Sequence, residues 1–203
     1  IPAPTHGYTR APMSAPPRPA IFLDRDDTLI ACTAITPDGD LFDPDLVEPM
    51  PGAPDALRAL KRAGFYIAVV TNQGAVARGK CTPATVELVH ARIRALLPSL
   101  IDDFRFCPFH PRGIVPAFTR EHPWRKPAPG MLLDLARAHA LDLSRSWMIG
   151  DAPRDIAAGA AAGCRTIRIP FGPAPEPCDP PPDHTASTLA DAAAIILHGR
   201  PSP

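Results

Sequence analysis

The chain predicts an α/β fold, a parallel sheet with helices on both faces, and three observations predict it. Apolar strand-like runs alternate with amphipathic helical stretches at short spacing from residue 20 to residue 197. Three of the runs end in polar tips, Asp24/Asp26, Thr71/Asn72 and Asp151. In an open α/β sheet, the carboxyl ends of the strands converge on one crevice. The length, 203 residues, suffices for one domain with a sizeable core and little more.

Composition narrows the class. The formal net charge is zero, so nothing draws the chain broadly to nucleic acid or an anionic membrane, and neither partner is expected. Five scattered cysteines with no Cys-x-x-Cys fit a reducing compartment better than a disulfide framework. No run approaches a membrane span, and the start lacks the apolar core of a secretory signal, so the expectation is a cytoplasmic protein, and a monomer. Residues 1–19, with six prolines, read as a disordered or loosely extended arm. Residues 20–198 read as a single domain and 199–203 as a tail, with an extended, proline-rich segment at 170–182.

The elements follow in order. Ala20–Leu23 is a short apolar strand that ends in Asp24, Asp26 and Asp27. Residues 28–50 carry no helical period. A turn at Thr36–Asp40 suits two short strands of a hairpin flap. A helix opens at Pro51–Pro54, with Leu57, Leu60 and Ala63 inward, and stops at Gly64. Phe65–Val70 is a second buried strand, tipped by Thr71-Asn72-Gln73-Gly74. Thr82 caps a helix that starts at Pro83 and buries Val86, Val89, Ile93, Leu96 and Leu97. Asp103–Cys107 alternates as a third strand, and a proline-rich loop follows. A helix over 129–140, a strand at 146–149, a small-residue helix over 154–162, a strand at 164–169 and a helix over 189–197 complete the chain.

The chemistry concentrates where the first strand ends. Asp24 and Asp26 are two apart, so in extended backbone both point to one side. Like charges that close need a cation or a proton between them, and a hard divalent metal such as Mg²⁺ is the simplest answer. Taken alone, the stretch also reads as a strand followed by an acidic turn.

Asp24-Arg25-Asp26-Asp27-Thr28 resembles the nucleophile motif Asp-x-Asp-Gly-Thr of the haloacid dehalogenase (HAD) superfamily of phosphatases. Asp27 stands where that family has Gly, which bears on the turn and leaves both key carboxylates in place. Thr71-Asn72-Gln73 resembles the second motif, Arg125-Lys126-Pro127 the third, and Gly150-Asp151-Ala152-Pro153-Arg154-Asp155 the fourth. The four fall in order at compatible spacing. The resemblance implies a Rossmann-like HAD core and a phosphoryl-transfer site. In it Asp24 is the nucleophile and Asp26 the acid/base. Lys126 offsets charge, and Thr71, Asn72 and Gln73 hold phosphate oxygens. Mg²⁺ lies among Asp24, the Asp26 carbonyl and Asp151, with Asp155 behind them.

Two longer stretches, residues 71–79 and 125–132, resemble the branch of the superfamily that holds heptose-bisphosphate and histidinol-phosphate phosphatases. It implies a minimal cap, here only the 28–50 flap and the 108–125 loop, and makes Arg78 and Arg125 candidates for substrate phosphate. The branch often carries a structural zinc before its Arg-Lys-Pro motif. Here Phe109, His122 and Trp124 replace three of its ligands, and Cys107 alone matches. Cys107, His110 and His122 make at most a partial set, whereas tetrahedral zinc wants four, so a metal-free loop is expected. The resemblance implies an Mg²⁺-dependent phosphatase for a small phosphorylated metabolite, foremost a sugar bisphosphate. Histidinol-phosphate phosphatase and nucleic-acid 3′-phosphatase are the rival enzymes. A non-catalytic phosphate-binding module is the rival of another class.

Overall fold

The computed structural model describes residues 16–36, 38–172 and 176–199. Its centre is a six-stranded sheet of β1 (Arg18–Leu23), β2 (Tyr66–Asn72), β3 (Asp103–Cys107), β4 (Leu141–Gly150), β5 (Arg165–Arg168) and β6 (His184–Thr185). The order is β3-β2-β1-β4-β5-β6, and every pairing is parallel. Five α-helices cover it: α1 (Ala53–Arg62), α2 (Pro83–Leu96), α3 (Gly130–His139), α4 (Pro153–Ala161) and α5 (Leu189–His198).

Alternation along the strands sorts the two faces. Ile21, Leu23, Ile67 and Val69 pack with α1, α2 and α5. Ala20, Phe22, Ala68, Val70 and Met148 pack on the other face with α3 and α4. Ala20 to Leu23 are fully buried on both faces, which is why they read as a continuous apolar run and not an alternating one. Truncating Phe22 to Ala would cost about 3–5 kcal/mol, the usual toll of a buried aromatic.

The chain winds outward from β1 to β3 on one side, then returns to place β4 on the other side of β1. The order therefore reverses between β1 and β4. Open α/β sheets bind their ligands at the carboxyl ends of strands at such a reversal.

Several expectations shift. Two start positions move: β1 begins at Arg18, inside the expected arm, and β4 at Leu141 instead of residue 146. The pairing of β1 with β4 skips a register between Pro19 and Ile21, and Ser146 Oγ fills the irregularity by accepting the Ala20 amide at 2.8 Å. Among the described residues, 28–50 form no pair of short strands. The described part of the segment holds one antiparallel bridge, Ile30 to Pro49, and a 3₁₀ turn at Pro44–Leu46. Leu29, Ile30, Cys32, Leu41 and Val47 are buried, so the flap is rooted in the core. The two-residue β6 was missed because so short a strand shows no period. Residues 1–15, most of the expected arm, lie outside the described residues, as do Pro37 of the turn, 173–175 and most of the tail. No helix among the described residues is long and apolar enough to cross a membrane.

Candidate active site

Asp24 follows the last residue of β1, and its amide still donates to Ile149 of β4 at 2.9 Å. The sheet itself thus sets this carboxylate at the β1/β4 reversal, where it is only 2% exposed. One oxygen, Oδ1, accepts the Arg25 amide at 2.7 Å and lies 2.9 Å from Lys126 Nζ. The other, Oδ2, has Arg154 Nη2 at 4.0 Å. Burial pushes the Asp24 carboxyl upward, but Lys126, Arg154 and the Arg25 amide outweigh it and hold the group below the ordinary carboxylate range.

Lys126 is buried as well. Its ammonium donates to the Val70 carbonyl at 2.8 Å and lies 2.6 Å from Asp155 Oδ1. Burial disfavours its charge, yet Asp155 and Asp24 prevail and raise it above the ordinary lysine value. Its backbone is fixed by Asn72. The Asn72 amide donates to the Lys126 carbonyl at 2.9 Å and accepts the Lys126 amide at 3.0 Å. The end of β2 is thereby tied to the loop that delivers the lysine.

Asp151 follows β4, and Asp155 lies in the first turn of α4. The second Asp155 oxygen accepts the Ala152 amide at 3.0 Å. Gly150 is required here: a Cβ at that position would lie 2.4 Å from the Asp155 Cβ. Ligand atoms of Asp24, Asp151 and Asp155 lie within 4.8 Å of one another, the one such trio among the described residues. Asp151 Oδ1 is buried with no hydrogen-bond partner. Burial first, then the charges of Asp24 and Asp155, raise the Asp151 carboxyl to about 7. A hard divalent cation suits these donors: it would satisfy the orphaned oxygen and offset the converging charge. Asp155 already spends its two oxygens on Lys126 and Ala152, which leaves it in support of the other carboxylates.

Asp26 is not in that trio. Its carboxylate accepts from Arg25 Nε at 2.9 Å, Arg25 Nη2 at 3.1 Å and Gln73 Nε2 at 3.0 Å. The same Gln73 amide reaches Thr71 Oγ1 at 3.0 Å. A buried arginine compensates the Asp26 carboxylate, which the sequence offers to a metal beside Asp24. Asp27 explains why Gly is usual at its position, since its φ is 54°. Asp tolerates this left-handed region better than most residues. Its carboxylate also accepts the amides of Cys32 and Thr33 at 3.0 Å, which closes the entry to the flap.

Above this floor stand two arginines and a histidine. A Cβ on Gly74 would lie 3.1 Å from His110, 3.3 Å from Arg125 Nη1 and 3.4 Å from Arg78 Nη1, so these three side chains converge over one glycine. Arg125 donates to the Phe109 carbonyl at 3.2 Å. Arg78 is engaged by Asp40 of the flap at 2.7 Å, and Lys80 holds the same carboxylate at 2.5 Å. In the 108–125 loop, Phe109 stacks on His122 with ring centroids 4.2 Å apart, and Arg120 lies over the Phe109 ring at 4.1 Å. Nδ1 of His110 and of His122 accepts a backbone amide, from Arg112 and Trp124 respectively. Burial pushes the Cys107 thiol upward.

Sequence reasoning passed over Arg25, Arg154 and Asp40. Arg25 sits inside the motif, and its burial is the only signal that would have marked it. Arg154 precedes Asp155 at the start of α4. Asp40 meets Arg78 from 38 residues away, which no local pattern reveals.

Known proteins agree with this geometry. Residues 123–192 match the family described as HAD-hydrolase-like. A D-glycero-beta-D-manno-heptose-1,7-bisphosphate 7-phosphatase of Rhodopseudomonas palustris is 41% identical over 162 residues, 77% of this chain and 86% of the relative. The protein of that name from Escherichia coli K12 is 36% identical over 88% of this chain and 91% of its own length. The fold matches a HAD-like phosphatase from Mesorhizobium loti at a TM-score of 0.76 and 33% identity, covering 93% of this chain and 91% of that one. It also matches a D,D-heptose 1,7-bisphosphate phosphatase from B. bronchiseptica, complexed with magnesium and phosphate. There the TM-score is 0.73 and the identity 28%, over 90% of this chain and 99% of that one. Shared over most of both chains, and with the four motifs gathered in one crevice, these likenesses show that the chain belongs to the HAD phosphatases, as a phosphoric monoester hydrolase of the group that holds the heptose-bisphosphate phosphatases.

Proposed function

We propose that this phosphatase removes one phosphate from a sugar bisphosphate, with D-glycero-D-manno-heptose 1,7-bisphosphate the foremost candidate and the 7-phosphate the group released. The observation that carries the reading is the Asp24 carboxylate held 2.9 Å from buried Lys126 at the β1/β4 reversal, with Asp151 and Asp155 beside it. The names of the relatives support the substrate, and so does the convergence of Arg78, Arg125 and His110 at the rim. Two arginines about one glycine suit a second phosphate on the same small molecule.

Asp24 attacks phosphorus and the bond to the sugar oxygen breaks, leaving an aspartyl-phosphate. Asp26 gives its proton to the departing alkoxide. It then takes a proton from the water whose oxygen attacks phosphorus and releases Asp24. Lys126 and Arg154 stabilise charge at the nucleophile, while the Thr71 hydroxyl and the Asn72 backbone amide serve the phosphoryl oxygens; the Gln73 backbone amide, expected to join them, donates instead to the Cys107 carbonyl at 2.8 Å. Asp24, Asp151 and the Asp26 carbonyl would hold Mg²⁺, which would supply charge neutralisation for the dianion. The zero net charge supports action without nucleic-acid or anionic-membrane partners, and five scattered cysteines without a Cys-x-x-Cys support a reducing, cytoplasmic setting.

Phosphate release from heptose 1,7-bisphosphate, histidinol phosphate and a 3′-phosphorylated oligonucleotide, with Mg²⁺ or with EDTA, tests the reading. The bisphosphate should be preferred and EDTA should abolish turnover. Preference for either other substrate would overturn the assignment.

A further inference from the structure

Arg25 lies between the two motif aspartates and is among the largest fully buried side chains, 1% exposed. Burying a guanidinium is costly unless a carboxylate meets it. Among the described residues, Asp26 is the one carboxylate within ion-pairing distance. The contact is a fork, Nε to Oδ1 at 2.9 Å and Nη2 to Oδ2 at 3.1 Å. Such a fork fixes the plane of a carboxylate as a lysine cannot.

The arginine is itself immobilised. Its carbonyl accepts the amides of Leu29 and Ile30, both at 3.0 Å, and Nη2 also reaches the Leu41 carbonyl at 3.5 Å. Gln73 Nε2 adds a third donor to Asp26, on Oδ2 at 3.0 Å. An ionised carboxylate offers about four lone-pair sites, two on each oxygen. Both sites of Oδ2 are then taken, and one site of Oδ1 is taken by Arg25 Nε. One site on Oδ1 is left. The Asp26 side chain is 20% exposed, so the carboxylate still opens on the crevice while its partner arginine does not.

We propose that Arg25 is the positioning residue of the acid/base, orienting Asp26 so that the transferred proton is carried on Oδ1. The proposal rests on the reading of Asp26 as acid/base. The proton leaves Oδ1 for the sugar oxygen as the P–O bond to that oxygen breaks. It returns to Oδ1 from the water that forms the new P–O bond and frees Asp24. Arg25 itself touches neither substrate nor phosphorus.

The test compares two esters, an alkyl phosphate whose leaving group needs a proton and p-nitrophenyl phosphate whose leaving group does not. kcat/KM is measured for the native chain, Arg25→Lys, Asp26→Asn and the double variant, with thermal melts beside them. Arg25→Gln, which is uncharged and keeps one donor, serves where lysine disturbs folding. Arg25→Lys should lose roughly 10–100-fold on the alkyl ester, part of what a general acid supplies, and less than about threefold on the aryl ester. In the Asp26→Asn background it should lose nothing further. Equal losses on both esters, or losses that multiply with Asp26→Asn, would overturn the role of Arg25. Asp26→Asn alone tests the underlying reading, since an equal loss on both esters would overturn the acid itself and the proposal with it.

Discussion

Lys126 at the floor of the crevice and Arg78 at its rim each hold a carboxylate, at 2.9 and 2.7 Å, yet the two contacts live in different surroundings. Lys126 is sealed from water, faces two aspartates and a carbonyl, and is fastened through Asn72 to the end of β2. The Arg78 side chain is 38% exposed and meets a residue of the flap, which also takes Lys80. Charges on the floor are positioned by strand ends and cannot exchange partners without moving the sheet. Charges on the rim belong to loops, where exchange is cheap. The difference assigns the two duties: bond cleavage needs fixed groups in a dry site, and selection among substrates needs groups that loops can vary.

Substitutions on the floor should break the molecule as an enzyme. Asp24→Asn, which keeps the size and removes the anionic nucleophile, should lower kcat for every phosphate ester by roughly 10⁴-fold or more. Turnover near the native rate in this variant would remove the covalent route. Asp26→Asn should lose roughly 10²–10⁴-fold on an alkyl phosphate while still binding it, as a phosphate-release assay paired with calorimetry would record.

The floor should also respond to pH in a way the rim does not. Burial, then Asp24 and Asp155, raise the Asp151 carboxyl to about 7 in the fold. A folded-state carboxyl that holds its proton more tightly than the unfolded chain contributes stability that is full below its unfolded value. That stability is lost as pH rises through the folded value. Without a divalent cation, the melting temperature should therefore fall between about pH 4 and pH 8, from the model carboxylate range through the folded value. Mg²⁺ should restore it at the upper end by replacing the proton. Asp151→Asn should flatten that slope and abolish the Mg²⁺ response in a pH series of thermal melts. A native slope unchanged in Asp151→Asn would contradict the account of the floor.

How far the sequence foretold this contrast follows from what each region is made of. Asp24 and Asp151 were legible because each follows an apolar run, and strand ends converge by geometry; Lys126, in a proline-rich loop, was legible only through the Arg-Lys-Pro resemblance. The rim was legible only in part. Arg78 and Arg125 were noticed through longer stretches of resemblance, but the Arg78–Asp40 pair depends on how the flap is rooted, and a segment without period gives no hint of that. Arg25 went unremarked within an acidic run, and only its burial marks it. Asn72 and Gln73 were expected to serve phosphate, and the fold gives their side chains a prior task, on Lys126 and Asp26. Asp27 raised a question of turn geometry that only its φ of 54° answers.

The smallest expected effect lies at the rim. Asp40→Ala releases Arg78, while Lys80 keeps its pair with Asp38 at 3.0 Å, and a partly exposed pair of this kind is worth about 0.2–1 kcal/mol. Stability should change little. KM for a bisphosphate should fall by up to about fivefold, the factor that about 1 kcal/mol sets, because the cations no longer share a protein carboxylate. A rise in KM would mean that Asp40 orients Arg78 for substrate instead of competing with it.

The division between floor and rim is tested most directly by one ratio, kcat/KM for heptose 1,7-bisphosphate over that for heptose 7-phosphate, measured in the native chain and in Arg125→Ala. Arg125 lies 3.3 Å from the position of a Cβ on Gly74, beside Arg78 and His110 at the rim. Its loss should cost about 1–3 kcal/mol on the bisphosphate, the worth of a charge-assisted contact, and little on the monophosphate, so the ratio should collapse toward one. Equal losses on both substrates, with the ratio preserved, would contradict the account.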